Sequence, residues 1–200
     1  MEKTVLISTF YSFEPLVASA TAYSPSRIAL LVAGDSLNGR DGEKVKANIS
    51  KAKDVYGSVA PIEVIKVNGS DLVGVAKKTV ELLENEEGKK IVNISGGWKL
   101  LAQGVLYGCY ARPELVEKIV CNNIEDNTLI ELPKLSFNLS SAKKELLEEL
   151  LNRNGKAIAE IAKKLDKTRG MLYQHLKELK ENGYVDDKFD ITLAGRMALI

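Results

Sequence analysis

The sequence predicts an α/β protein whose N-terminal part is a Rossmann-like domain with a parallel sheet, followed by a smaller and mainly helical domain. Three observations lead to this prediction. Short continuous apolar runs alternate with helical patterns over the first two thirds of the chain. After Pro133 the pattern changes to successive amphipathic helices. Finally, Lys and Arg concentrate in one C-terminal segment, although the whole chain has a net charge of only +1.

Four apolar runs predict the strands of the sheet, at residues 5–8, 27–33, 62–67 and 91–94. Runs that are apolar throughout are typical of strands covered on both faces. Apolar stripes at helical spacing occupy residues 44–56, 72–83 and 98–111. This β-α-β order favours parallel strands joined by right-handed crossovers. Residues 116–121 and 128–132 then predict a closing hairpin that turns around residues 125–127.

The domain boundary is predicted within residues 131–138, which gives domains at 1–134 and 138–200. Pro133 ends a strand there, and Ser140 can cap a helix over about 141–152. The next helix carries Ile158, Ile161, Ala162 and Leu165 on one buried stripe. A tight turn follows at residues 166–167, and Thr168 is the expected N-cap of a third helix.

The third helix has the pattern of a DNA recognition helix. Leu172, Leu176 and Leu179 face the core at ~100° per residue, so the intervening residues point away from it. Between Lys156 and Lys180 there are seven Lys or Arg and three Asp or Glu, a local net charge of +4. Arg and Gln on such a face can bond base edges, while Lys and Tyr hold phosphates. The predicted DNA contacts are Lys167, Thr168, Arg169, Gly170, Tyr173, Gln174 and Lys177.

A ligand site is predicted beyond the carboxyl ends of the strands, where open α/β sheets bind ligands. Three loops would build it, at residues 9–14, 34–40 and 93–99. In the last of these, Gly96 and Gly97 would let a phosphate approach the main chain at a helix start. Ser95 adds a hydroxyl, Lys99 a positive charge and Trp98 a stacking surface. The first loop adds Phe10, Tyr11, Ser12 and Phe13.

An alternative interpretation of the same glycines is structural. The two glycines would then only let helix and strand pack closely, with Trp98 in the core. No G-x-G-x-x-G follows the first strand, which argues against a nicotinamide or flavin dinucleotide. The C-terminal helical domain likewise has an alternative interpretation, in which it serves only for dimerisation or protein contact.

Composition narrows the remaining function classes. The chain is 45% hydrophobic and 28% charged, which argues against an intrinsically disordered protein. Two cysteines, Cys109 and Cys121, provide neither a disulfide framework nor a zinc site, and a lone His175 argues against a His-based metal or triad enzyme. We expect His175 to pack or to bond the backbone. No signal peptide or membrane-length apolar run is visible, so a cytoplasmic protein is expected.

The run from Ile158 to Leu179 resembles the winged helix-turn-helix of MarR/ArsR-type bacterial and archaeal regulators. Residues 183–185 and 189–193 fit the two strands of the wing, and the segment from Thr192 to Gly195 fits the start of a last short helix. The resemblance covers about the last 60 residues and implies binding to double-stranded DNA. At the predicted wing tip, Asp186 and Asp187 directly precede Lys188. These carboxylates would repel phosphate and argue against a wing contact with DNA.

The segment Asn93-Ile-Ser-Gly-Gly-Trp-Lys-Leu-Leu-Ala102, with the first loop, resembles the CRISPR-associated Rossmann fold (CARF) domain. The whole chain therefore resembles archaeal CRISPR-associated CARF–winged-helix transcription regulators. The resemblance implies a homodimer with one pocket across its two-fold axis, which binds a cyclic oligoadenylate, above all cyclic tetra-adenylate, with no other cofactor and no metal. The promoters bound would be palindromic sites of CRISPR-locus genes. By motif position, phosphates would be held by Ser95, Gly96, Gly97 and Lys99, and the pocket lined by Thr9, Phe10, Tyr11, Ser12 and Phe13.

Two alternatives remain at this point. Some CARF domains cleave their own ligand, so the chain could be a ring nuclease. A ribose 2′-hydroxyl would then attack, with Ser12 or Tyr11 placing it and Lys99 stabilising the developing charge. The other alternative is a regulator that responds to a different nucleotide, or a constitutive regulator with a vestigial pocket.

Overall fold

The computed structural model describes residues 3–123, 125–126, 128–135, 139–153 and 157–200. It divides into two compact units, Met1–Ser136 and Phe137–Ile200. Three residues named above lie outside the described residues: Asn127 of the predicted hairpin turn, Asn138 of the predicted domain boundary and Lys156 of the basic segment.

The N-terminal unit is built on a six-stranded sheet with the order β3-β2-β1-β4-β5-β6. Neighbouring strands are parallel except β5 and β6, which pair antiparallel with Val120 opposite Glu131. The predicted parallel sheet and closing hairpin are thereby confirmed. The strands are β1 (Thr4–Thr9), β2 (Arg27–Ala33), β3 (Ile62–Val67), β4 (Lys89–Asn93), β5 (Lys118–Asn122) and β6 (Leu129–Leu132).

Helices cover both faces of this sheet. They are α1 (Glu14–Tyr23), α2 (Gly34–Asn38), α3 (Gly42–Tyr56), α4 (Leu72–Asn85) and α5 (Lys99–Ala111), and a 3₁₀ turn at Pro113–Leu115 precedes β5. Successive strand residues point to opposite faces, so Leu6 packs in one core and Ile7 in the other. The first core includes residues of α1, α2 and α3, and the second includes residues of α4 and α5.

Helices α1 and α2 were not predicted. The segment 9–14 was interpreted wholly as a loop, but Thr9 completes β1 and Glu14 begins α1, with Pro15 in its first turn. Proline suits that position because its missing N–H would have no partner within the helix. Similarly, most of the segment 34–40 forms α2, where the Ser36 hydroxyl donates to the Ala33 carbonyl at 2.6 Å.

The C-terminal unit is a winged helix-turn-helix. Its helices are α6 (Ser141–Leu151), α7 (Ile158–Lys164), α8 (Arg169–Glu181) and α9 (Leu193–Met197). The predicted stripe of Leu172, Leu176 and Leu179 is buried in one core with leucines of α6. Thr168 caps α8 as predicted, since its Oγ1 accepts from the Met171 amide at 3.3 Å. Asp166 turns the chain between α7 and α8 with a φ of 49°.

Two local predictions for this unit are corrected. Ser140 stands at the N-cap of α6, but its side chain makes no capping hydrogen bond; its carbonyl accepts from Lys143 and Lys144 instead. The two wing strands reduce to one antiparallel bridge between Val185 and Ile191, flanked by backbone bonds from Asp186 to Asp190 and from Thr192 to Tyr184.

His175 on α8 is half-buried, and its Nδ1 atom has no hydrogen-bond partner among the described residues. The expected packing of this side chain is observed, whereas the expected backbone bond at this nitrogen is not. Among the described helices, none combines the length and apolar composition needed to cross a membrane.

Candidate functional site

The strand order of the N-terminal unit reverses between β1 and β4. The chain leaves β1 toward α1 on one face of the sheet and leaves β4 toward α5 on the other face. Such a reversal opens a crevice at the carboxyl ends of the two strands, and ligands of open α/β sheets bind in it. Residues 10–13 and 94–98, both singled out from the sequence, flank this crevice. We call it the switch-point crevice.

Asn93, the last residue of β4, connects the loop after β4 to α1 at the base of the switch-point crevice. Its side chain is fully buried. The Nδ2 group donates to the Pro15 carbonyl at 3.1 Å and to the Ser19 hydroxyl, while Oδ1 accepts from the Ser95 amide at 2.9 Å and from the Ser95 hydroxyl. One side chain therefore fixes the loop after β4 against α1. Sequence analysis assigned no role to Asn93; the available signal was a carboxamide at the end of a buried strand.

Ser95 has a positioning role in this structure. Its Oγ accepts from the Asn122 amide at 2.7 Å and lies 2.7 Å from Asn122 Oδ1, in addition to its bond with Asn93. The hydroxyl predicted to meet a phosphate is thus already engaged within the chain. Its bonds tie the loop after β4 to the end of β5.

The two glycines after Ser95 have structural reasons of their own. A Cβ on Gly96 would lie 2.4 Å from the Thr9 carbonyl oxygen, so only glycine allows this loop to approach the end of β1. Gly97 has a φ of 79°, a conformation that side chains of L-residues rarely adopt. The close-packing interpretation is correct for Gly96, although the partner is the end of β1.

The same turn leaves a run of backbone donors unused. From Gly96 to Leu101, no described residue accepts from the backbone amides, and the first helical bond of α5 runs from Ala102 to Trp98. Helix α5 has no side-chain cap and no acidic residue in its first turn. Free amides and the positive end of a helix dipole together favour an anion at this point.

Lys99 and Trp98 complete this face of the crevice. Lys99 is exposed and forms no ion pair with the described residues. Trp98 is 38% exposed, which excludes the interpretation that its ring belongs to the core. One edge of the ring packs near Gly69 in the loop after β3. The segment that carries the free amides therefore also carries an aromatic surface and a cation, at the consecutive residues Trp98 and Lys99.

The residues after β1 divide into buried and accessible ones. Phe10 and Phe13 are only 1% and 8% exposed and pack in the core, so their rings cannot stack on a base, contrary to the sequence prediction. Thr9 is also buried, with its hydroxyl 3.4 Å from the Asn93 carbonyl. Tyr11 and Ser12 are half-buried. The Tyr11 hydroxyl donates to Asp41 at 2.7 Å, and this bond raises the pKa of the tyrosine.

In the C-terminal unit, α8 presents an exposed polar face opposite its buried leucines. Arg169, Gly170, Tyr173, Gln174 and Lys177 are all exposed, as predicted. Arg169 has no ion-pair partner among the described residues. Lys177 Nζ lies 3.9 Å from a Glu181 carboxylate oxygen, and Gln174 Nε2 lies 3.4 Å from Glu178 Oε1. Both distances are long for such contacts, so neither side chain is strongly held. Of the remaining two predicted DNA contacts, Lys167 is half-buried and Thr168 is exposed at the N-cap.

The acidic residues of the wing serve internal contacts. Asp186 Oδ1 accepts from the amides of Lys188 and Asp190 at 2.9 and 2.8 Å. Asp187 pairs with Lys180 at 2.8 Å, an interaction that lowers the pKa of this carboxyl. Lys188 is exposed and has no ion pair in the described part of the chain. Of the two wing carboxylates, Asp187 is thus paired with a cation of the chain, whereas Asp186 is bonded only to neutral amides and keeps its charge at the wing tip.

Comparison with known proteins agrees with both units. Residues 140–187 match the family model described as bacterial regulatory protein, arsR family. No curated protein sequence matches the chain.

The described residues contain no cluster of three His, Cys, Asp or Glu side chains that could hold a metal ion.

Among the solved structures that resemble this chain, Csm6 shares its fold. Csm6 of Enterococcus italicus, solved with cyclic hexa-2′-fluoro-hexa-dAMP, matches 91% of this chain with a TM-score of 0.56 and 12% identity, over 55% of its own length. Can2 of Sulfobacillus thermosulfidooxidans, solved with cyclic tetra-adenylate, matches 98% of this chain and 62% of its own, with a TM-score of 0.45 and 16% identity. Protein VC1899 of Vibrio cholerae matches 98% and 64%, with a TM-score of 0.49 and 12% identity. The chain thus spans less than two thirds of each.

Proposed function

We propose that the chain is a transcription regulator that binds promoter DNA through α8 and senses a cyclic oligoadenylate, in the first place cyclic tetra-adenylate, in its N-terminal unit. Residues 1–134 would serve sensing and dimerisation, and residues 138–200 DNA binding. The observation that carries the proposal is the exposed face of α8, where Arg169 has no ion-pair partner among the described residues and Gln174 and Lys177 make only long contacts within the helix. The regulated promoters would be those of CRISPR-locus genes, and the protein would act in the cytoplasm.

The face of α8 has the chemistry that a major groove requires. Arg169 can form two parallel bonds to guanine and Gln174 two bonds to adenine. Lys177 and Lys188 can neutralise phosphates, which contributes affinity without reading the sequence. In a symmetric dimer the two copies of α8 would lie roughly 34 Å apart, one helical turn of DNA, so a palindromic site is expected.

The switch-point crevice supplies the groups that a nucleotide phosphate needs. The free amides of the exposed residues 97–100 and the Lys99 ammonium can bind the phosphate, and Trp98 can stack on a base. Csm6, whose fold the chain shares, was solved with a cyclic hexanucleotide. A cyclic tetranucleotide has two-fold symmetry and would fit a pocket to which two copies of the chain each contribute one set of loops.

We propose ligand binding in preference to ligand cleavage. The bond to Asp41 raises the pKa of Tyr11, so an even smaller fraction of this hydroxyl is ionised and able to accept a proton at neutral pH than in an ordinary tyrosine. Lys99 and the free amides before α5 could stabilise developing charge, but none of the described side chains of the crevice is identified as a general base. A ring-nuclease activity would therefore lack a group that deprotonates the attacking ribose hydroxyl.

DNA binding is tested by fluorescence anisotropy on sites selected from random duplexes with the full chain. Arg169→Ala and Gln174→Ala should each weaken specific binding by about 1–3 kcal/mol, because each removes a bidentate base contact. Lys77→Ala removes an exposed cation of α4 and serves as the control, with affinity expected to remain unchanged. If both α8 variants bind like the original chain, α8 is not the recognition element.

Ligand binding is tested by calorimetric titration with cyclic tetra-adenylate. Separate titrations with cyclic hexa-adenylate and linear tetra-adenylate are the controls for ring size and for cyclisation. We expect tight binding at one ring per two chains, and strong weakening by Lys99→Ala. Lys66→Ala, an exposed lysine of β3, is the matched control. Absence of binding by all three nucleotides would leave a winged-helix protein with a different ligand.

A further inference from the structure

A small apolar cavity lies between α7 and α8 in the C-terminal unit. Its volume is about 130 Å³. Leu172 and Ala162, both buried, form its floor, and the half-buried Ile158 and Ala159 form its wall. Arg169 and Tyr173 line its rim. The cavity therefore opens directly onto the face of α8 that we assign to DNA.

The rim is held open by contacts within the unit. The Tyr173 ring packs edge-on against Phe189, with the ring centroids 6.3 Å apart, and remains 51% exposed. Arg169 is exposed and has no ion-pair partner in the described residues that would draw it across the cavity. The exposed side of the cavity is thus formed by Arg169 and Tyr173 on the outer face of α8.

Gly170, beside this rim, indicates close approach from outside. A Cβ built on Gly170 meets no atom within 4 Å, and its φ is not positive. Nothing in the folded chain therefore requires glycine, although glycine inside a helix is less stable than alanine. Its absence of a side chain is explained if another molecule approaches the first turn of α8 closely.

We propose, on the basis of the proposed DNA-binding function, that this cavity receives the C5-methyl group of a thymine next to the guanine that Arg169 contacts. The thymine methyl is the apolar group that base pairs present in the major groove. A phosphate would find Arg169 at the rim but no donor on the apolar floor. A water molecule occupies ~30 Å³ of liquid, so the cavity admits the methyl together with the adjoining edge of the base.

The DNA arm of the test replaces thymine by uracil, which removes only the methyl. Sites are selected with the full chain, with and without cyclic tetra-adenylate, and each thymine of the best site is replaced singly. We expect about fourfold weaker binding at one thymine in each half-site, adjacent to a required guanine, and little change elsewhere. Equal affinity for thymine and uracil at every position would overturn the proposal.

The protein arm fills the cavity. Ala159→Leu should abolish the preference for thymine over uracil, whereas Ala194→Leu, the same change at an exposed position of α9, should retain the fourfold preference. Circular dichroism checks that both variants fold; if Ala159→Leu does not, Ile158→Ala removes part of the wall and should halve the preference or more. An undiminished preference in the folded cavity variant contradicts the inference.

The two proposals fail in distinguishable ways. Sequence-selective binding without sensitivity to the methyl group would refute the cavity assignment and leave the regulator proposal intact. Absence of any sequence-selective binding would refute both.

Discussion

Asn93 offers the sharpest test of how the switch-point crevice is held. The substitution Asn93→Ala removes a fully buried side chain that takes part in four hydrogen bonds, two to α1 and two to Ser95. Each such bond contributes about 1 kcal/mol net, so the free energy of unfolding should fall by about 4 kcal/mol. This loss is large against the 5–15 kcal/mol that a domain typically has, but need not unfold it.

Urea unfolding followed by Trp98 fluorescence measures this loss. With a slope of about 2 kcal/mol per molar, the midpoint should drop by about 2 M. Asn68→Ala is the matched control, because Asn68 is exposed and accepts a single bond, from the Ser70 amide at 3.1 Å. Its effect should stay below about 1 kcal/mol. If Asn93→Ala costs no more than this control, the side chain does not hold the crevice as described.

Three further predictions concern other parts of the chain. Gly170→Ala should raise the free energy of unfolding by about 0.5–1 kcal/mol while weakening DNA binding, and unchanged affinity would contradict close approach at this helix turn. Lys188→Ala should reduce the slope of log affinity against log salt by about 1, measured by anisotropy; an unchanged slope would show that the wing makes no phosphate contact. Burial raises the pKa of Cys109 to about 12, so at pH 8 it lacks thiolate, and a disulfide reagent should modify only Cys121 until urea exposes both. Equal reaction rates in the folded protein would contradict that burial.

Much of the fold could be predicted because its signals are local. Residues 27–33 and 62–67 were predicted with the same bounds as β2 and β3, because aliphatic residues are dense in both segments. The expectation that both strands are covered on both faces is wrong for β3, which lies at the edge of the sheet with Glu63 and Lys66 exposed. The spacing of Leu172, Leu176 and Leu179 was sufficient to orient α8. Helix α1 was missed because its small residues, among them Ser19 and Ala20, give no strong periodic stripe.

The crevice could be predicted in position but not in detail. Its place follows from strand order, and the segment 93–99 was identified from its glycines. The bonds of Asn93 reach Pro15 and Ser19, 78 and 74 residues away, and no local pattern reveals such partners. The burial of Phe10 and Phe13 was not predicted for the same reason. The sequence of a loop does not show whether an aromatic side chain packs into the core or faces a ligand.

The central claim is that one chain couples a nucleotide ligand to DNA binding. The most direct measurement is the affinity of the full chain for its selected DNA site, with and without saturating cyclic tetra-adenylate, at one fixed salt concentration. We predict that the ring changes this affinity by at least about fivefold, the lower end of typical allosteric couplings, and that DNA changes the affinity for the ring by the same factor. An identical DNA affinity in both conditions, with the ring bound at one per two chains, would contradict the account.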